Sequence, residues 1–167
     1  MDCKIRKWRP EDAKNLSELL NNKKILDNLR DGLPFPYTES DAIDYISAML
    51  SADKNSVFAF AIEVDGEVAG SIGIFRQENI HSKTAETGYY LGEKYWNKGI
   101  ATSAVIKACD FVFKNTDIIR IFAEPFSRNV ASCRVLEKAG FVCEGTLRKN
   151  AVKNGIVEDM KMYALLK

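Results

Sequence analysis

The chain has 167 residues, 46% of them hydrophobic and 28% charged, which suffices for one domain with a substantial core and is too short for two ordinary ones. Its 24 Lys and Arg against 23 Asp and Glu leave a formal net charge of +1, so the basic excess of a general nucleic-acid binder is missing. The four cysteines lack CxxC or Cys/His spacing, the start lacks the apolar core of a signal peptide, and no apolar run is long enough for a membrane span; no metal, no membrane and a reducing cytoplasm are the expectations.

Residues 4–8 alternate charged and apolar side chains, which predicts a half-buried first strand. Arg9-Pro10-Glu11-Asp12 stops that strand and starts a helix, with proline in the first turn and acids at the positive end of the dipole. Leu16, Leu19 and Leu20 give the helix an apolar face. Its end stays open, because Asn21-Asn22-Lys23-Lys24 is polar while Ile25, Leu26 and Leu29 return to a helical spacing. Two prolines and a glycine exclude regular helix from residues 31–37. Two readings of this loop stand: Phe35 ties it to the core, or its aromatics form a substrate-binding wall. Thr38 to Asp41 has the polarity of a helix cap, and Ala42, Ile43, Ile46, Met49 and Leu50 then recur at helical spacing.

From Ser56 the pattern becomes that of strands. Residues 57–64 and 67–75 form a hairpin around Asp65-Gly66, and Gly70 and Gly73 mark close backbone approach or a bulge. Residues 84–91 form the next strand. A helix then runs to about residue 115, with Ala101, Ala104, Val105, Ala108 and Val112 in one stripe and Cys109 inside an apolar face. Residues 118–123 form a short strand stopped by Pro125. Ser127-Arg128-Asn129 caps a further helix that carries Leu136 and Ala139 and ends at Gly140. Residues 141–152 and 156–166 pair around Asn154-Gly155. This order predicts a single domain over residues 1–167 of the α/β (α+β) class, a mixed sheet with helices on both faces. The two hairpins argue against a purely parallel doubly wound sheet.

The stretch from Tyr95 to Thr102 links a strand to a helix through small residues. Such a turn presents free backbone N–H groups at the positive end of a helix dipole and holds a phosphate without a dedicated side chain. Lys98 adds a point charge. The stretch is neither GxxxxGK[ST] nor GxGxxG, and alone it is a weak signal. A second pattern follows about thirty residues on, from Asn129 through Ser132 and Leu136-Glu137-Lys138 to Gly140-Phe141.

Together, in this order, the two patterns resemble the GNAT superfamily of acetyl-CoA-dependent N-acetyltransferases. Trp96-Asn97-Lys98-Gly99-Ile100-Ala101-Thr102 looks like that superfamily's pyrophosphate loop, the Asn129 pattern looks like the helix beside the thioester, and Arg9-Pro10-Glu11-Asp12 matches its first strand-to-helix junction. With Tyr89-Tyr90-Leu91-Gly92 leading into the loop, the sequence is similar to the ribosomal-protein N-terminal (alanine) acetyltransferase-like branch, whose members act on many different amines.

The resemblance implies a mostly antiparallel central sheet that splays near its middle to admit acetyl-CoA as co-substrate. It implies that backbone amides of Asn97, Lys98, Gly99, Ile100 and Ala101 hold the pyrophosphate, with a hydroxyl from Thr102. Trp96 takes the place of the usual Gln or Arg. The strand edge at Tyr90 and Leu91 pairs with the pantetheine arm. Asn129 bonds the same arm, and Ser132 lies near the thioester or the CoA sulfur. Leu136 stands where many relatives carry a tyrosine that protonates the leaving thiolate, which leaves Ser132, or no acid at all, for that role.

An amine attacks a thioester only when deprotonated, and an alkylamine with a pKa of roughly 10.4 is mostly protonated at neutral pH. A general base therefore helps. Glu86, on the strand before the loop, is the first candidate; His81, Glu124 and water are the alternatives. Cys133 near a helix start is read as packing, since no histidine partners it. The expected acceptor is a primary amine, either a protein N-terminus or a small molecule, with no nucleic acid. Exposed edges in the last hairpin leave a homodimer open. Two rival functions are a non-catalytic acyl-CoA-binding or regulatory module and a phosphate-binding domain for nucleotides.

Overall fold

The structure, a computed structural model, describes residues 1–167. Its first strand, β1 (Lys4–Arg6), ends earlier than the alternation suggests, because Trp8 turns into the core and Pro10 opens a 3₁₀ turn (Pro10–Asp12). Arg6 fastens this junction, its guanidinium forking onto Asp12 at 2.8 and 2.9 Å and reaching Glu63 at 2.5 Å. Helix α1 (Ala13–Leu20) buries Leu16 and Leu20. The helical spacing that returns at Ile25 proves to be a separate short helix, α2 (Lys23–Leu26), with the Asn22 side chain capping Lys24 N.

The following loop is tied down by Tyr37 rather than Phe35. Tyr37 is buried, while Phe35 is 57% exposed. The Asn21 side chain brackets the Tyr37 backbone, accepting from its N–H at 2.8 Å and donating to its carbonyl at 2.6 Å. Helix α3 (Glu39–Ser51) then starts on a capping box: Asp41 N donates to Thr38 Oγ1, and Thr38 N donates to Asp41 Oδ2.

Strands β2 (Val57–Val64) and β3 (Glu67–Arg76) form a hairpin whose turn residues Asp65 and Gly66 both have positive φ. Gly70 faces a bulge between Ile62 and Glu63; a Cβ there would lie 2.1 Å from the Tyr90 carbonyl oxygen, so the close approach expected of this glycine is real. The remaining elements are β4 (Thr84–Leu91), α4 (Ile100–Asn115), β5 (Arg120–Ala123), α5 (Val130–Lys138), β6 (Val142–Lys153) and β7 (Ile156–Leu166).

The seven strands form one sheet in the order β1-β2-β3-β4-β5-β7-β6, antiparallel throughout except for β4 beside β5. One hydrophobic cluster packs the α4/α5 face, built on Ile72, Ile74, Val105, Ile121 and Leu136. A second packs the α1/α3 face, built on Trp8, Leu16, Leu20 and Ile46. This is the mixed, mostly antiparallel sheet with helices on both faces that the chain order predicts. No helix is long and apolar enough to cross a membrane.

The parallel pair is short, and this shapes the site. β4 pairs with β5 only through Thr84, Ala85 and Glu86, opposite Arg120, Ile121 and Phe122. Pro125 lies two residues beyond β5 and brings no N–H donor to extend the ladder. From Thr87 onward β4 continues to Leu91 paired with β3 alone, so the sheet opens there into a V.

Candidate active site

The N-terminus of α4 lies beyond the open end of this V, joined to β4 by residues 92–99. Asn97 and Gly99 have φ of +59 and +76, a left-handed pair that wraps the turn before the helix. None of the successive N–H groups from Asn97 through Thr102 donates to a group of the chain; the first bonded amide is Ser103 N, on Gly99 O at 3.1 Å. A row of unspent donors at the positive end of a sixteen-residue helix favours an anion. The side chains contribute less than the backbone. Lys98 turns its ammonium onto Lys94 O at 2.7 Å, and Trp96 is half-buried, with Nε1 donating to Leu91 O at 2.9 Å. The Thr102 hydroxyl has no partner in the chain.

The inner wall of the V is the free edge of β4. Gln77 N donates to Thr84 O and Gly92 N to Ala69 O, so even-numbered residues of β4 aim their backbone groups at β3. Thr87, Tyr89 and Leu91 therefore aim theirs at the opening. The Leu91 carbonyl is taken by Trp96, which leaves its N–H facing the gap. Tyr90, placed at the open edge by the sequence reading, instead bonds toward β3, and its ring packs into the α1/α3 cluster. A strand's period of two puts adjacent residues on opposite duties, and the residue to choose is Tyr89.

Across the gap stands the start of α5. Asn129 caps it, its Oδ1 accepting from Ser132 N at 3.2 Å, so the Asn129 Nδ2 is the group left to meet a ligand. The Ser132 hydroxyl lies 2.9 Å from the Tyr89 hydroxyl, which also reaches Ser132 O at 3.2 Å. This β4-to-α5 bridge was not read from the sequence. Burial raises the Tyr89 pKa above its ordinary value, so the phenol stays protonated. Leu136 is fully buried in the core and Cys133 nearly so.

On the opposite face of β4, toward α1 and α2, Glu86 sits at the throat of the V beside the gap left by Gly88, where a Cβ would meet nothing within 4 Å. Arg30, just after α2, pairs with Glu86 and, at 3.5 Å, with Glu124 beyond β5. Burial, with Glu86 as neighbour, raises the Glu124 carboxyl above its ordinary pKa, while Arg30 opposes the shift. A cavity of about 300 Å³ continues from Glu124 under the β6–β7 hairpin, over Phe126, Ala151, Val152 and Met160. His81 ends an exposed 3₁₀ turn (Asn79–His81) at the closed end of the β4–β5 pair, away from the opening.

A free strand edge, a helix start with unspent amides and a carboxylate thus meet where the sheet opens. Residues 3–142 match the model of the acetyltransferase (GNAT) domain, and the chain belongs to the GNAT acetyltransferase family, whose members are acetyl-CoA-dependent N-acetyltransferases. The "Probable N-acetyltransferase YjcK" of Bacillus subtilis (strain 168) is 38% identical over 117 residues, 70% of this chain and 65% of its own length. The candidate ribosomal N-acetyltransferase YdaF of the same strain is 30% identical over 169 residues, 98% of this chain and 90% of its own. Mycobacterium smegmatis RimJ in complex with CoA-disulfide superposes with a TM-score of 0.86 at 25% identity, covering 97% of this chain and 80% of that one.

Proposed function

We propose that this chain transfers the acetyl group of acetyl-CoA to a primary amine by direct attack in a ternary complex. The observation that carries the reading is the convergence of the unspent amides of residues 97–102 with the free β4 edge and the α5 start. Amides of residues 97–102 hold the pyrophosphate. Backbone groups of Tyr89 and Leu91 pair with the amides of the pantetheine arm as an added strand would, and Asn129 Nδ2 adds a donor. The thioester then lies between Ser132 and Glu86, at the point where β4 and β5 separate.

In this reading Glu86, directly or through a water, takes the proton of the incoming ammonium. The amine nitrogen forms the new bond to the acetyl carbon as the carbon–sulfur bond breaks. The nitrogen's second proton passes to the Ser132 hydroxyl as that hydroxyl gives its own to the departing sulfur, so the serine ends neutral. Free N–H groups at the gap stabilise the charge that develops on the carbonyl oxygen. The likeness to YdaF, a candidate ribosomal N-acetyltransferase, supports a ribosomal acceptor; a protein α-amino group, with a pKa of about 8, needs less help from the base than an alkylamine. A small amine is the other acceptor.

Thiol release and the mass of the N-acetyl product, followed with acetyl-CoA and a panel of peptides and small amines, test the proposal. The expected result is one N-acetyl product per thiol, with Gly99→Val/Ala101→Phe losing acetyl-CoA binding while staying folded. Acetyl-CoA binding without turnover on any amine would instead make the chain a non-catalytic acyl-CoA module. Unchanged affinity in the double variant would sink the loop assignment.

A further inference from the structure

A cation already stands where the acceptor amine has to arrive. The Arg30 side chain is 64% exposed, whereas those of its partners Glu86 and Glu124 are 22% and 21% exposed. The carboxylates are the embedded partners, and the guanidinium is the group free to swing into water. The residues flanking Arg30 are tied to the fold through one backbone carbonyl and two side chains. Arg128 Nη2 donates to Asp27 O at 2.7 Å and Nη1 to Asn28 Oδ1 at 2.8 Å, while Lys153 pairs with Asp31 at 2.7 Å. Arg30 itself reaches the carboxylates through its side chain alone, so a side-chain rotation is enough to release them. The space around the pair suits a slim ligand: Gly88 leaves a gap beside Glu86, and the cavity at Glu124 sets apolar Phe126, Val152 and Met160 beside the charged Arg30, Asp31 and Lys153.

We propose that Arg30 is a resident stand-in for the substrate: it occupies the Glu86–Glu124 pair in the empty enzyme, and the acceptor is a primary amine that arrives as an ammonium on a slim apolar stem and displaces it. This deepens, and rests on, the acetyl-transfer reading above. An ammonium is compact and brings three donors, enough for both carboxylates at once. An exposed guanidinium gains little from the same pair, because water and salt screen it. The arrangement also selects against some amines. A carboxylate one carbon from the amine would be pressed against Glu86 and Glu124, and like charges a few ångströms apart repel strongly when water is partly excluded. Free amino acids are thus rejected. Alkylamines and peptide N-termini, whose neighbouring carbonyl is neutral, are admitted.

Calorimetric titration of the CoA-loaded full-length chain with propylamine, alaninamide and free alanine tests this without any acetyl transfer. Arg30→Ala and Arg30→Gln should each bind propylamine or alaninamide about fivefold more tightly than the wild type, the worth of one exposed ion pair. Glu124→Gln should bind the same amines about tenfold more weakly. Preference for propylamine identifies a small-molecule acceptor and preference for alaninamide a peptide N-terminus; either upholds the displacement. Amine affinity unchanged in the Arg30 variants, or alanine bound as well as alaninamide, would overturn it. If displacement is seen and no amine is ever acetylated, the reaction proposed above fails and this assignment stands.

Discussion

The hydroxyl pair of Tyr89 and Ser132 is the smallest feature with a mechanistic consequence. The Tyr89 hydroxyl donates its one hydrogen to Ser132 O at 3.2 Å, and with that hydrogen spent the 2.9 Å contact has the Ser132 hydroxyl donating to the phenol oxygen. The phenol oxygen thereby fixes the orientation of the Ser132 hydroxyl, which has to turn from it to reach the departing sulfur. Tyr89→Phe keeps the ring and removes the bond. The expected loss is about five- to tenfold in kcat, the worth of a hydrogen bond of about 1 kcal/mol, with the KM for acetyl-CoA unchanged. If the pair acts as a unit, Tyr89→Phe should cost nothing further once Ser132 is alanine. Equal, additive losses in the double variant would show the two hydroxyls to be independent. Ser132 is legible only through the family resemblance, and Tyr89 not at all, since alternation says that Tyr89 and Tyr90 face opposite ways and not which way each faces. Arg30 carried no local signal at all. It meets Glu86 across 56 residues of chain, and only the fold brings the two together.

At the scale of elements, Gly70 shows how the β3–β4 register guards the opening. Its absent Cβ is replaced by the Tyr90 carbonyl and the Leu91 side chain, so β3 lies flush against the part of β4 whose other edge is free. Gly70→Ala should lower Tm by roughly 5–10 °C through overpacking. Gly88→Ala, where a Cβ meets nothing within 4 Å, should leave Tm unchanged. Equal Tm values for the two variants would contradict the register. Turn chemistry made most of these elements legible. Asp65-Gly66 and Asn154-Gly155 both adopt the left-handed conformations that their hairpins demand, and Thr38 caps α3 as its polarity suggests. Boundaries were less legible. Ile118 is fully buried and extends the apolar pattern of β5, yet strand pairing starts only at Arg120, because burial and ladder hydrogen bonds are separate requirements. In the loop before α3, Phe35 and Tyr37 compete as anchors. The winner is the residue whose backbone Asn21 can bracket, a choice made by contact between distant segments.

For the whole molecule, the order of elements sufficed to predict a mixed sheet covered on both faces. It did not reveal that β7, rather than β6, joins β5, with Ala164 opposite Phe122. A hairpin pattern says which strands pair with each other and is silent about which of them docks on the sheet. That docking places the β6–β7 hairpin over the Glu124 cavity, while the short β5 leaves β4 free on the other side of Glu86. The free β4 edge and the Glu124 cavity thus lie on either side of Glu86, where the proposed reaction brings cofactor and acceptor together. The central claim is that the amides from Asn97 through Thr102 and the β4 edge form the seat of CoA. It is tested most directly by titrating the ¹⁵N-labelled chain with CoA and following its backbone amide signals. Saturable shifts are expected at Asn97 through Thr102, Tyr89 and Leu91, with the amides of Asn150 through Lys153 little changed. Shifts centred on the β6–β7 hairpin, with the loop amides unmoved, would contradict it.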